Sequence, residues 1–197
     1  MGRMRRTVIT FRSQAILSIA AAMILVPARL VLAWLMAAVV HEGFHVVAVF
    51  LFGGKLHSVC IGPMGATINA SLLYPAAEAI CALAGPLGSC SLMCFSGKFP
   101  ELALCALIQS GYNLLPLPQL DGGHALHAIL GLMFSDQMTQ KLCAAIEYMT
   151  LGTLFFMAIF GAFVLKLGWF PVFAVVIIAL RSEGRKIPCK HCLLGVQ

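Results

Sequence analysis

The stretch His41-Glu42-Gly43-Phe44-His45 lies in the middle of an apolar run from Leu30 to Phe52. A run of this length predicts a membrane-spanning helix. On a helix, His41 and His45 lie one turn apart on the same face, where two imidazoles can bind one Zn²⁺. Glu42 lies further round the helix, where it can take a proton from water held at the metal. Ionisable residues inside a span are costly unless they serve a function, so the stretch predicts an intramembrane metal site.

The composition is that of an integral membrane protein. Of the 197 residues, 61% are hydrophobic and only 10% are charged, whereas a soluble domain carries about 25% charged residues. The length suits one membrane-embedded domain over residues 1–197, with a core at about 11–181 and a basic tail at about 182–197. The first apolar run is not followed by a small-residue cleavage site, so we expect it to remain as a signal anchor.

The apolar segments predict an all-α polytopic fold with about six transmembrane helices. A glycine-rich stretch at 53–74 has no helical period and is expected to form a short surface hairpin or loop. The polar stretch at 135–141 is expected to be a turn. The predicted segments are 11–26, 30–52, 75–95, 101–115 with a further apolar piece at 124–134, 142–165 and 168–180.

Positive charge is concentrated at the two ends of the chain, which has a net charge of +6. With six spans and both termini in the cytoplasm, the eight terminal basic residues, Lys55 and Lys141 put ten of the 13 Lys and Arg residues on that side. This distribution satisfies the positive-inside rule. Basic clusters beside spans face the anionic leaflet of the bilayer, so we expect the lipid bilayer and not nucleic acid as a partner.

A catalytic zinc ion commonly takes three protein ligands and a water, so a third ligand must come from another segment. Asp121 is the leading candidate, because Pro116 and Pro118 break the fourth segment just before it. Broken backbone at membrane depth is tolerated only inside protein or along a watery cavity, and a carboxylate there needs a cation. The alternative is that Asp121 only N-caps the following helix. His124 is not expected to be a fourth ligand, since it would fill the position of the water.

The remaining histidines and cysteines carry no comparable signal. His57 and His127 have no ligand spacing and are expected to be surface or packing residues. The eight cysteines do not indicate a disulfide framework, because most fall in apolar segments where buried thiols are ordinary packing. The tail motif Cys189-Lys190-His191-Cys192 is a single CxxC, and a closed zinc site needs four ligands. Free cytoplasmic thiols are therefore expected in the tail.

Three motifs together resemble the site-2 protease family of intramembrane zinc metalloproteases. They are HEGFH in the second segment, Ala84-Gly85-Pro86 in the third, and Asn113-Leu-Leu-Pro-Leu-Pro-Gln-Leu-Asp121-Gly-Gly in the fourth. The resemblance covers about residues 11–181 and is strongest to the sporulation branch, the stage IV sporulation protein FB type. Many relatives have NPxP where this chain has Asn-Leu-Leu-Pro. The roles that the resemblance implies are zinc ligands for His41, His45 and Asp121, general base for Glu42, and substrate binding for Asn113.

The resemblance implies an intramembrane zinc metalloendopeptidase with one zinc ion per chain, in a bacterial cell membrane. Its substrate would be a membrane-tethered regulatory protein such as a sigma-factor precursor, and membrane partners would regulate it. The alternating stretch at 66–70 could present an edge strand that holds the substrate extended. Two other functions use similar residues: a metal-ion transporter or channel, and a substrate-binding scaffold without catalysis. Replacing Glu42 by Gln separates a protease from a transporter.

Overall fold

The computed structural model describes residues 8–11, 13–62, 65–72, 74–166 and 168–183. The prediction of a mostly helical chain is confirmed for this part. The Cys189/Cys192 tail and most of the terminal basic residues lie outside the described residues. The helices are α1 (Ser13–Leu25), α2 (Ala28–Leu51), α3 (Pro75–Ser91), which continues as a short 3-10 helix (Leu92–Phe95), α4 (Pro100–Asn113), α5 (Asp121–Met133), α6 (Asp136–Phe163) and α7 (Phe170–Glu183).

Three of the described helical stretches are long and apolar enough to cross a membrane: Ala28–Leu51, Pro75–Phe95 and Asp136–Phe163. The helices α4 and α5 have 14 and 13 residues, and each is too short to cross a hydrocarbon core of about 30 Å alone. They are separated by the proline-containing loop that the sequence predicted. The count of six spans stays a prediction.

The described residues also contain a three-stranded sheet, so the structure is mostly but not entirely helical. Its strands are β1 (Val8–Phe11), β2 (Lys55–Gly62) and β3 (Gly65–Ser71), in the order β1-β2-β3. The strand β2 pairs antiparallel with β3, placing Val59 opposite Ile68. The pairing of β1 with β2 is parallel, with Val8 opposite Ser58. A four-residue strand whose partner lies so far along the chain has no local sequence signature.

The sheet is attached to the C-terminal half of α2. Ile68 and Ala70 of β3 are buried in one cluster with Ala48, Val49 and Cys81. Since Val49 follows His45 by one helical turn, this cluster lies about 6 Å further along α2 than the histidine. The sheet is therefore anchored directly beside the HEGFH stretch.

The helices α2, α3, α4 and α5 pack around that stretch, mostly through small side chains. Ala37 of α2 is fully buried against Cys105 and Ala106 of α4. Small residues let membrane helices approach closely, so polar groups from several helices can meet. At the other end of these two helices, Arg29 and Glu101 form an exposed ion pair with an N–O distance of 3.2 Å. The helices α2 and α4 therefore run parallel.

The predicted polar turn at 135–141 is wrong. The helix α6 begins at Asp136 and continues to Phe163, so only Phe134 and Ser135 connect it to α5. The polar residues of this stretch form the first turns of a 28-residue helix. Asp136 in the first turn interacts favourably with the positive end of the helix dipole, which explains why a polar sequence begins a helix here.

Candidate metal centre

The two histidines of α2 point into the protein interior. His41 and His45 are 2% and 3% exposed, and their ring centroids lie 4.9 Å apart with the ring planes at 78°. The Nε2 atoms of the two rings are 3.2 Å apart. The one-turn spacing thus brings two nitrogen atoms together at one point, as the sequence predicted.

Asp121 brings a carboxylate oxygen to the same point from α5. Its Oδ2 lies 2.9 Å from Nε2 of His41 and 3.3 Å from Nε2 of His45. Asp121 is the first helical residue of α5, and the N-cap residue Leu120 makes no side-chain capping bond. The carboxylate contacts the histidines, so the alternative that it only caps the helix does not describe this structure.

The two glycines after Asp121 let the broken segment pack tightly. A Cβ on Gly122 would overlap the carbonyl group of Leu114, and a Cβ on Gly123 would overlap that of Leu117. Leu117 is fully buried. The loop between α4 and α5 therefore lies directly on the first turn of α5, the turn that begins with Asp121.

The other ring nitrogens have partners that leave Nε2 available. Nδ1 of His45 donates to the carbonyl oxygen of Cys81 at 2.7 Å, since that oxygen can only accept. In the neutral ring, Nε2 of His45 then carries a lone pair. Nδ1 of His41 lies 2.9 Å from Oγ of Ser89. Ligating histidines in metal sites are held by partners of this kind.

The three groups fit a divalent metal ion. Their ligand atoms all lie within 4.8 Å of one another, and the three separations of 2.9, 3.2 and 3.3 Å are close to the edge of a zinc tetrahedron. Ligand atoms about 2.0–2.1 Å from zinc at tetrahedral angles lie about 3.3 Å apart. Atoms with lone pairs that converge in a buried site need a shared cation or proton. His41, His45 and Asp121 could therefore hold a metal ion, and a third coordinating group from α5 completes the pair on α2.

Of the other two predicted site residues, Asn113 contacts this group and Glu42 follows His41 on α2. Asn113 is the last residue of α4, and its Nδ2 is 3.2 Å from Nε2 of His41. Glu42 is half-buried on α2 and is not a member of the metal-binding group. His124, three residues beyond Asp121, is not a member either. On β2, His57 lies 3.1 Å from Oγ of Ser71 at the exposed end of the sheet.

Residues of α3 complete the surroundings of the histidines, and the sequence did not predict their roles. Gly85 lies so close to His45 that a Cβ would overlap its Nε2 atom. Ser89, one turn further along, contacts His41. In the sequence, the Ala84-Gly85-Pro86 motif contributes to the family resemblance but predicts no role for its residues. The available signal was the one-turn spacing of Gly85 and Ser89, which equals the spacing of the two histidines.

The comparisons with known proteins support this fold. No protein-family model and no curated protein sequence matches the chain. A solved structure, the site-2 protease from Methanocaldococcus jannaschii, matches with a TM-score of 0.60 and 22% sequence identity, covering 92% of this chain and 93% of that chain. At this level of identity the likeness shows the fold. The chain therefore shares its fold, over nearly its whole length, with that site-2 protease.

Proposed function

We propose that the chain is an intramembrane zinc metalloendopeptidase. It would hydrolyse a peptide bond in or near a transmembrane or membrane-associated segment of a regulatory protein. One zinc ion would be held by His41, His45 and Asp121, with Glu42 as the general base. The single observation that carries the proposal is the meeting of three buried ligand atoms from α2 and α5, 2.9–3.3 Å apart, with a glutamate next to the first of them in sequence.

The chemistry assigned to the chain's own residues is proton transfer and orientation. A zinc ion bound there supplies Lewis acidity, which acidifies water and polarises a peptide carbonyl. Glu42 accepts the proton of the attacking water and donates it to the amine that leaves. Glu42 follows His41 on α2 but faces another side of the helix, so its carboxylate would approach the reacting water without being a ligand.

The substrate would be held extended along the free edge of β3. In the described sheet, β3 pairs with β2 on one side, so backbone groups along its other side are available to another strand. The packing of Ile68 against Val49 places this strand one helical turn from His45. A peptide bond in a helix is shielded, and strand addition would keep a locally unwound substrate extended. Asn113, whose amide lies 3.2 Å from His41, would contact the substrate at the reacting bond.

The proposal includes a topology and a class of substrate. Six spans with both termini in the cytoplasm of a bacterial cell satisfy the positive-inside rule. The sheet and the proposed substrate edge would then face the cytoplasm. A membrane-tethered sigma-factor precursor suits this side, since its soluble part must be released into the cytoplasm, and the sporulation branch of the site-2 proteases is the branch that we propose. Membrane proteins that occupy the same edge would regulate cleavage.

Replacing Glu42 by Gln tests the function. The purified full-length protein and the Glu42→Gln variant are each measured for zinc content and for cleavage of co-expressed membrane-tethered regulators. We expect the variant to keep its zinc, because the ligands are intact, and to lose cleavage at least about 100-fold, because the general base is gone. A variant that cleaves like the wild type would contradict the proposal. Zinc transport into vesicles that is retained by the variant would favour a transporter.

A further inference from the structure

The helices α2 and α3 contact each other at two positions that are one helical turn apart on each helix. His41 of α2 contacts Ser89 of α3, and His45 lies against Gly85. The order is reversed along α3, so the two helices run antiparallel, and the spacing of four residues is the same on both. Each histidine therefore has one matching position on α3, which is a glycine in one case and a serine in the other.

The orientations of the two histidines are fixed in different ways. The Nδ1 atom of His45 is held by a backbone oxygen, that of Cys81, at 2.7 Å. For His41 the corresponding partner is a side chain, Oγ of Ser89, at 2.9 Å. A backbone oxygen cannot be removed by substitution, but a side chain can. Among the described residues, replacing Ser89 would therefore remove the partner of Nδ1 of His41 and leave both histidines in place.

Ser89 differs from two neighbouring serines. The hydroxyl of Ser110 donates to the carbonyl oxygen of Pro86 at 3.0 Å, and that of Ser91 donates to Gly88 at 2.6 Å. These bonds link backbone to side chain within the α3–α4 region. Ser89 is fully buried and faces an imidazole nitrogen instead. A buried polar group in a membrane protein needs a partner, and for Ser89 that partner is His41.

We propose that Ser89 is the positioning residue of His41, an inference that rests on the proposed function. When Nε2 of His41 binds a metal ion, the ring proton is on Nδ1, and Nδ1–H donates a hydrogen bond to Oγ of Ser89. This bond sets both the tautomer and the rotation of the ring, as outer partners of ligating histidines do. Removing the hydroxyl leaves a buried N–H without a partner and a ring that is free to turn away from the metal.

The test compares three variants of the full-length protein in detergent: Ser89→Ala, Ser89→Thr and Ser110→Ala. The last is a matched control, because Ser110 is also buried between α3 and α4 but does not contact a ligand. Zinc affinity is measured by chelator competition, and the ligand geometry by the absorption spectrum of the Co²⁺-loaded protein. We expect Ser89→Ala to bind zinc about 10–100-fold more weakly, the usual effect of losing such a partner, and to show a changed cobalt spectrum.

Thermal unfolding with and without zinc separates positioning from packing. A loss of packing would lower the melting temperature of both forms equally, whereas weaker metal binding reduces the shift that zinc causes. Ser89→Thr keeps the hydroxyl and should bind zinc more tightly than Ser89→Ala. Equal zinc affinity of Ser89→Ala and the wild type, equal weakening by Ser110→Ala, or no gain with Ser89→Thr would each overturn the inference. A wild-type protein that binds no zinc would instead overturn the proposed function.

Discussion

Gly85 lies against the imidazole of His45, and the space that a Cβ would need is already occupied by Nε2 of that ring. Gly85 is buried in α3, where a glycine costs about 1 kcal/mol relative to alanine. The glycine is therefore explained by the close approach of α3 to the proposed ligand and not by helix stability.

Gly85→Ala is expected to displace the His45 ring and to lower zinc affinity by at least about 10-fold, as misorientation of a ligating histidine does. Proteolysis should fall with it. The matched control is Gly111→Ala on α4, where a Cβ would meet no atom within 4 Å. Zinc affinity of both variants is measured by chelator competition. Wild-type affinity in Gly85→Ala would show that the ring and α3 can separate without affecting the metal site.

Asp121→Asn tests the third ligand. The substitution keeps the size of the side chain and removes its charge, so a metal ion held by His41 and His45 would lose its anionic ligand. Losing a hydrogen-bond partner of a ligand weakens metal binding about 10–100-fold. Losing a ligand itself should have a larger effect, so we expect the zinc affinity of Asp121→Asn to fall by more than this. Asp136→Asn, an exposed carboxylate at the start of α6, should bind zinc normally. Zinc bound equally by Asp121→Asn and the wild type would exclude Asp121 as a ligand.

The meeting of His41, His45 and Asp121 was predictable because each part has a local signature. Helical spacing places the two histidines on one face, and the prolines before Asp121 mark a break that only a polar interior tolerates. A buried carboxylate needs a cation, so Asp121 and the two histidines are expected to bind the same metal ion. No knowledge of how the helices pack was necessary for this prediction.

The roles of Gly85, Ser89 and the Cys81 carbonyl could not be predicted in the same way. They depend on the register between α2 and α3, which is set by packing over the whole interface. The strand β1 has the same difficulty, since its four residues pair with a strand that follows two helices. The sequence predicts a turn where α6 begins, because polarity alone does not distinguish an exposed helical turn from a loop.

Gly123→Ala tests whether the loop between α4 and α5 fixes the position of Asp121. A Cβ at Gly123 would overlap the carbonyl of Leu117, which is fully buried and has little room to move. Overpacking of this kind typically costs about 1–3 kcal/mol. We expect a lower melting temperature together with weaker zinc binding. Gly131→Ala on the same helix meets no atom within 4 Å and should leave both unchanged or raise stability slightly.

The free edge of β3 is tested by proline substitution at two neighbouring positions. Ile68, in the middle of the strand, is buried against α2, so a proline there would also disturb the core. Ala66 and Thr67 are adjacent in β3, and their N–H groups point to opposite sides of the strand. One proline therefore removes a bond to β2, and the other removes a donor only from the free edge.

The variant that loses the free-edge donor should bind zinc and unfold like the wild type but cleave the membrane-tethered substrate more slowly. Proline cannot donate to a strand added at that edge, so the defect should appear as a higher KM for long substrates. The other variant should lower the melting temperature, because it weakens the pairing of β2 with β3. If both variants cleave at the wild-type rate, the substrate is not held by strand addition, and the sheet serves only to support α2 beside His45.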